Sequence, residues 1–128
     1  MAQVKIKNIF ICENVVVAFN GQISLINLTS EITSTAFPAI HPKLTILVSI
    51  FGDEGSYNEK IEIVSVNEDK VIATVNSKAE IKGTGGNNFI ASFINTVFPN
   101  EGTYWIKVTI GSDVLTNKKD YTLVLKKM

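Results

Sequence analysis

Arginine is absent from the 128 residues, and cysteine, histidine and tryptophan occur once each, as Cys12, His41 and Trp105. Without guanidinium groups the chain lacks the planar fork that reads phosphate or guanine edges. Its 12 Lys are balanced by 12 acidic residues, so no net field gathers a polyanion. Nucleic acid and anionic membrane are therefore not expected partners. One thiol cannot close an intramolecular disulfide, and one Cys with one His is too poor a set for a transition metal. No run approaches the roughly 18 apolar residues of a membrane span. Met1 to Phe10 alternates polar and apolar residues around Lys5 and Lys7, unlike the continuous apolar core of a secretion signal. The expectation is a cytoplasmic protein without a cofactor.

What is present is strand. Apolar residues make up 45% of the chain and charged ones 19%, a balance that folds. Runs rich in Val, Ile, Thr and Phe recur between turn residues, and none keeps a helical period for three turns. Strands are expected at about Val4 to Glu13, Gln22 to Thr33, Leu44 to Phe51 and Glu59 to Val66. Four more are expected at about Lys70 to Ile81, Asn88 to Phe98, Thr103 to Ile110 and Tyr121 to Lys126. Asn20-Gly21, Gly52 to Gly55, Asn67 to Asp69, Asn100 to Gly102 and Gly111 to Asp113 supply the turns. In Ser34 to Lys43, Pro38 and Pro42 each remove a ladder donor, which predicts an extended crossover between sheets. About eight strands at this spacing imply one antiparallel β-sandwich over residues 1–128, immunoglobulin-like or jelly-roll-like, with a barrel as the alternative.

Several strands are apolar on both faces. Val4, Ile6 and Phe10 oppose Ile9 and Ile11; Ile23 and Leu25 oppose Ile26 and Leu28. Leu44, Ile46, Val48 and Ile50 oppose Leu47 and Phe51, and Phe89, Ala91, Phe93 and Val97 oppose Ile90, Ile94 and Phe98. A two-layer sandwich buries one face of each strand, so the second set needs another cover. A homodimer is the expected one.

An ordered set of short motifs runs through the chain: Cys12-Glu13, then Asn20-Gly21-Gln22-Ile23-Ser24-Leu25-Ile26, then Phe37-Pro38-Ala39-Ile40-His41-Pro42-Lys43-Leu44. Phe98-Pro99 and Gly102-Thr103-Tyr104 come near the end. Together these resemble a family of short bacterial proteins classed only as a domain of unknown function. Where that family commonly carries a glycine after Ser-Leu-Ile, Asn27 stands here. The resemblance implies a compact all-β bacterial domain, and no catalytic residue or ligand.

The chemistry on offer is sparse. A triad would have to be built on His41 with Ser34, Ser49 and Glu31, without nucleophile-elbow spacing; a packed imidazole in the crossover is the plainer reading. Cys12, on the same face as Phe10 and Ile6, reads as an inert core thiol. Gly83-Thr84-Gly85-Gly86 lacks the helix and the Lys of a phosphate cradle, leaving Gly85 and Asn87 as members of a binding loop. Acidic residues in the turns (Asp53, Glu54, Glu68, Asp69, Glu101, Asp113) suit turn formation, with calcium as the alternative. Trp105 points by alternation toward the nominally wet face with Lys107; a sheet edge covered by a loop or a chain terminus is the plainer reading, and an interface residue or a sugar-stacking platform the alternative. The expected binding surface is thus Trp105, Lys107, His41, Gly85 and Asn87. The leading reading is a non-catalytic β-sandwich interaction module that binds protein. A carbohydrate- or small-ligand-binding module using an exposed Trp105 comes second, and a small hydrolase-like enzyme third.

Overall fold

The structure, a computed structural model, describes residues 3–83 and 86–128. These contain no helix and ten strands: β1 (Val4–Val17), β2 (Ile23–Leu28), β3 (Glu31–Ser34), β4 (Ala39–Gly52) and β5 (Gly55–Ser65), then β6 (Lys70–Ile81), β7 (Gly86–Phe98), β8 (Gly102–Ile110), β9 (Asp113–Val114) and β10 (Thr122–Lys127). Sheet A runs β2-β1-β4-β7 and sheet B runs β3-β10-β8-β5-β6, with β9 attached to β8. The expected all-β sandwich forms. Ten strands replace the expected eight because one expected strand is divided and β9 is added. The pairing is antiparallel except for β3 with β10, which is parallel.

The divided strand is Gln22 to Thr33. Thr29 donates its N–H to the Ile11 carbonyl in sheet A, while the next carbonyl, of Ser30, accepts from Val124 N–H in sheet B. The chain therefore changes sheets between two consecutive residues. Just upstream Asn27 has φ +55°, the left-handed region that glycine enters freely and Asn tolerates better than most residues.

Between the sheets lie Leu44, Ile46, Val48 and Ile50 of β4, Ile61 and Ile63 of β5, Phe93 and Phe98 of β7, Ile106 and Val108 of β8, and Leu123 and Leu125 of β10. Period-two alternation puts each set on one face, as expected for β4, β8 and β10. Phe98 meets Tyr104 edge-on, ring centroids 5.0 Å apart. The buried Tyr104 hydroxyl then donates to the Asn100 carbonyl at 2.6 Å and so clamps the β7–β8 turn. Along β8 the ladder is interrupted where Thr116 stands in for a strand: its Oγ1 donates to the Ile106 carbonyl (2.8 Å) and accepts from Val108 N–H (3.1 Å).

Three expectations about faces are corrected. A bulge between Ile6 and Asn8 adds a residue to β1, so Val4, Ile6, Ile9 and Ile11 all turn inward and Cys12 shares the outer face with Phe10 but not with Ile6. In β7, Asn95 at φ +50° reverses the alternation, so Phe98 joins Phe93 in the core and Val97 turns out to solvent. The crossover Ser34 to Lys43 is half strand, because β4 already begins at Ala39 and passes through Pro42. There β4 pairs with β7 alone, since its pairing with β1 starts at Thr45. A proline is tolerated at such a local edge.

Candidate binding surfaces

The expected surface does not assemble. His41 is half-buried in β4 opposite Thr96, and Asn87 lies opposite Ile50 of the same strand. Nine residues of strand, about 30 Å, separate them. Asn87 is spent locally, its Nδ2 donating to the Glu80 carbonyl at 3.3 Å. Gly85, with Thr84, lies outside the described residues. Ser49 donates to Asn88 Oδ1 at 2.6 Å, and at eight residues from His41 along β4 it is about 26 Å away. Ser34 bonds the Ala36 carbonyl and Glu31 pairs with Lys126, so among the described residues no triad is built around the imidazole. The acidic turns divide between opposite ends of the sandwich. Asp53 and Asp113 lie by the start of β5 and the end of β8, while Glu68, Asp69 and Glu101 lie by the β5–β6 and β7–β8 turns. Among the described residues no three His, Cys, Asp or Glu group around a common point.

Trp105 and Lys107 do come together, on the outer face of sheet B, as alternation along β8 implied. Trp105 is covered, as the plainer reading had it, and is no open platform, being only 9% exposed. It stands between Val64 of β5 and Thr122 of β10, with the ammonium groups of Lys107 and Lys118 each 5.5 Å from its ring centroid. Lys118 was not singled out in the sequence, because it arrives from the Leu115–Tyr121 connection, whose path no periodicity reports. That connection is held by Thr116 and by a turn in which Asn117 Oδ1 accepts from the N–H groups of Lys119 and Asp120. The indole N–H is buried and finds no acceptor among the described residues. One step along the same face, Lys60 with Asn58, Glu59, Asn76, Ser77 and Thr109 lines a hollow of about 310 Å³.

The outer face of sheet A is apolar. Across the strands Phe10 sits beside Leu47 and Leu47 beside Ile90, and next to them Leu28 flanks Cys12, which flanks Thr45. Leu47 is 4% exposed, packed by its own neighbours, whereas Leu28 (63%), Ile94 (62%), Phe51 and Ile26 remain open to solvent. Lys5 stands opposite Phe51, and Lys43 bonds Asn14 Oδ1 at 3.1 Å. No carboxylate occupies these rows. Cys12 is buried at the centre, its Sγ donating to the Thr45 carbonyl at 3.5 Å. Burial raises its pKa, so the thiol is a poor nucleophile.

Glu59 is the group that sequence reading missed. It lies on the inner face of β5 between Ser77 of β6 and Ile110 of β8, in phase with Ile61 and Ile63. That phase was visible in the sequence and was the signal to follow. The residue is 2% exposed, and neither carboxylate oxygen has a hydrogen-bond partner among the described residues. Removal from water alone pushes its pKa up to about 7.

A family model described as a family of unknown function (DUF6941) matches residues 7–119. A comparison with curated proteins finds no match.

Proposed function

We propose that this chain, which belongs to the DUF6941 family of unknown function, is a non-catalytic interaction module that binds protein through the outer face of sheet A. The observation that carries the reading is that face itself: exposed Leu28, Ile26, Phe51 and Ile94 surround the packed Phe10, Leu47 and Ile90, with no carboxylate among them. A contiguous exposed apolar patch of this kind is what a partner's surface buries. A second copy of the chain is the first candidate, because cyclic dimers are the commonest oligomers and zero net charge offers little repulsion. The scattering of His41, Ser49 and the turn carboxylates supports the non-catalytic part. With the reading goes a bacterial, cytoplasmic setting, which one unpaired thiol suits.

Sedimentation velocity at micromolar concentration tests this. The expected species has twice the 14.0 kDa chain mass, and Leu28→Asp with Ile94→Asp returns it to the monomer while leaving the dichroism spectrum unchanged. A monomer at every concentration defeats the second-copy reading, and the same two substitutions then ask whether the face serves another protein. The carbohydrate reading has lost the open indole it relied on.

A further inference from the structure

The other outer face, that of sheet B, carries an inference independent of the first. Around Trp105 stand three hydrogen-bond donors, and the neighbouring carboxylates, Glu62 and Asp69, make no hydrogen bond to any of them. The indole N–H is buried without a partner, and the ammonium groups of Lys107 and Lys118 both lie 5.5 Å from the ring centroid. Neither ammonium can satisfy the indole, since Lys only donates and Trp only donates. Nor are the two charges neutralised at close range. Among the described residues no carboxylate comes within 4.0 Å of Lys107, although Glu62 stands directly opposite it on β5. Lys118 reaches Asp69 only at 4.0 Å, with both side chains largely in water. A buried polar donor left unpaired is costly, and the acceptor that answers all three groups at once is an anion.

We infer that the Trp105–Lys107–Lys118 group is a carboxylate-binding site, and that its ligand is an extended acidic peptide. The ammonium groups over the indole ring are carried on flexible lysine stems, which can part without moving the backbone. The ring face is occupied by those stems, which disfavours sugar stacking. The surface then continues in the direction an extended chain requires. Lys60 and its hollow, with Asn58, Asn76 and Thr109, lie one row beyond Lys107 on the same face. Side chains two residues apart on an extended peptide rise about 6.6 Å apart on one side, the same repeat as the rows of the sheet. Lys60, opposite Thr109, lies two such rows or about 13 Å from Trp105, so a carboxylate at Trp105 sets the side chain four residues further on near Lys60.

Trp105 is the chain's only tryptophan, so its emission reports the site directly. The full-length protein is titrated with hexaglutamate, with isothermal calorimetry in parallel so that a spectrally silent event is still counted. The expected result is saturable binding that shifts the emission. It weakens up to about fivefold for each of Lys107→Gln and Lys118→Gln, the scale of an exposed ion pair. It also fades toward 1 M salt, where the screening length is about 3 Å. Hexalysine leaves the signal unchanged, and Leu28→Asp, on the other sheet, leaves the titration unchanged. Absence of heat and of spectral change with hexaglutamate overturns the inference, as does equal binding by the two glutamine variants. Tighter binding of a uronate oligomer or a short oligonucleotide than of hexaglutamate overturns the peptide assignment.

Discussion

Replacing Glu59 with glutamine should stabilise the protein, and only above a defined pH. The side chain sits between Ser77 and Ile110 on the core side of β5 with both oxygens unpartnered. Its pKa in the fold is about 7, against an ordinary 4.5. Below pH 4.5 folded and unfolded chains both hold the proton, and Glu59 contributes no pH dependence. Between 4.5 and 7 the folded chain keeps a proton that the unfolded chain has released, so stability falls as pH rises. Above 7 both are ionised and the loss is complete. At about 1.4 kcal/mol per unit, the difference of 2.5 units amounts to about 3 kcal/mol. Unfolding entropy for a chain of this length converts that to about 10 °C in Tm. Glu59→Gln keeps the shape, carries no charge, and gives up part of the gain because its own amide is also buried unpaired. The assay is thermal unfolding of wild type and variant at pH 4, 5, 6, 7 and 8. Other carboxylates titrate in both proteins alike, so the difference in Tm isolates Glu59. It should be near zero or negative at pH 4, rise through 5 to 7, and level off above 7. A difference that does not change with pH refutes the reasoning, because it would mean that the carboxylate finds water or a partner in solution.

Thr116→Val leaves Val108 N–H and the Ile106 carbonyl buried without partners and should cost about 2 kcal/mol in urea unfolding. Asn27→Gly should be nearly neutral, whereas Asn27→Val should lose 1–2 kcal/mol by forcing a β-branched residue to φ +55°. The order glycine, asparagine, valine in Tm is the readout, and valine matching glycine would remove the left-handed backbone from the argument. Tyr104→Phe deletes the 2.6 Å bond to the Asn100 carbonyl and should cost about 1 kcal/mol while keeping the edge-on contact with Phe98.

Sequence pattern reached the sandwich because one face of β4, β8 and β10 alternates without interruption. It failed wherever a single residue changes the phase. The bulge after Ile6 and the left-handed Asn95 each reverse every side chain beyond them, and neither position carries glycine or proline as a marker. The change of sheet at Thr29 and Ser30 was hidden because β-branched residues continue on both sides of it. At the candidate site, alternation assigned Trp105 and Lys107 to one face but could not reveal their cover. Lys118 arrives there through a connection that is fixed by Thr116 and Asn117 hydrogen bonds and has no period to read. His41 and Asn87 drew notice for their chemistry alone, and nine residues of β4 hold them apart.

The arrangement of the layers also sets the order in which the molecule can assemble. The contiguous stretch from Ala39 to Phe98 already holds β4 with β7 and β5 with β6, one neighbouring pair from each sheet. Leu44, Ile46 and Phe93 can thus meet Ile61 and Ala79 before either terminus takes part. β3, in contrast, has β10 as its only neighbour, at the far end of the chain. The outer strands of sheet B therefore close only when the last segment arrives, and closing so long a loop comes late in folding. Truncating Ile61 should slow folding, whereas truncating Leu125 should mainly speed unfolding. On this topology the middle of the chain is the expected nucleus, and its end the clasp.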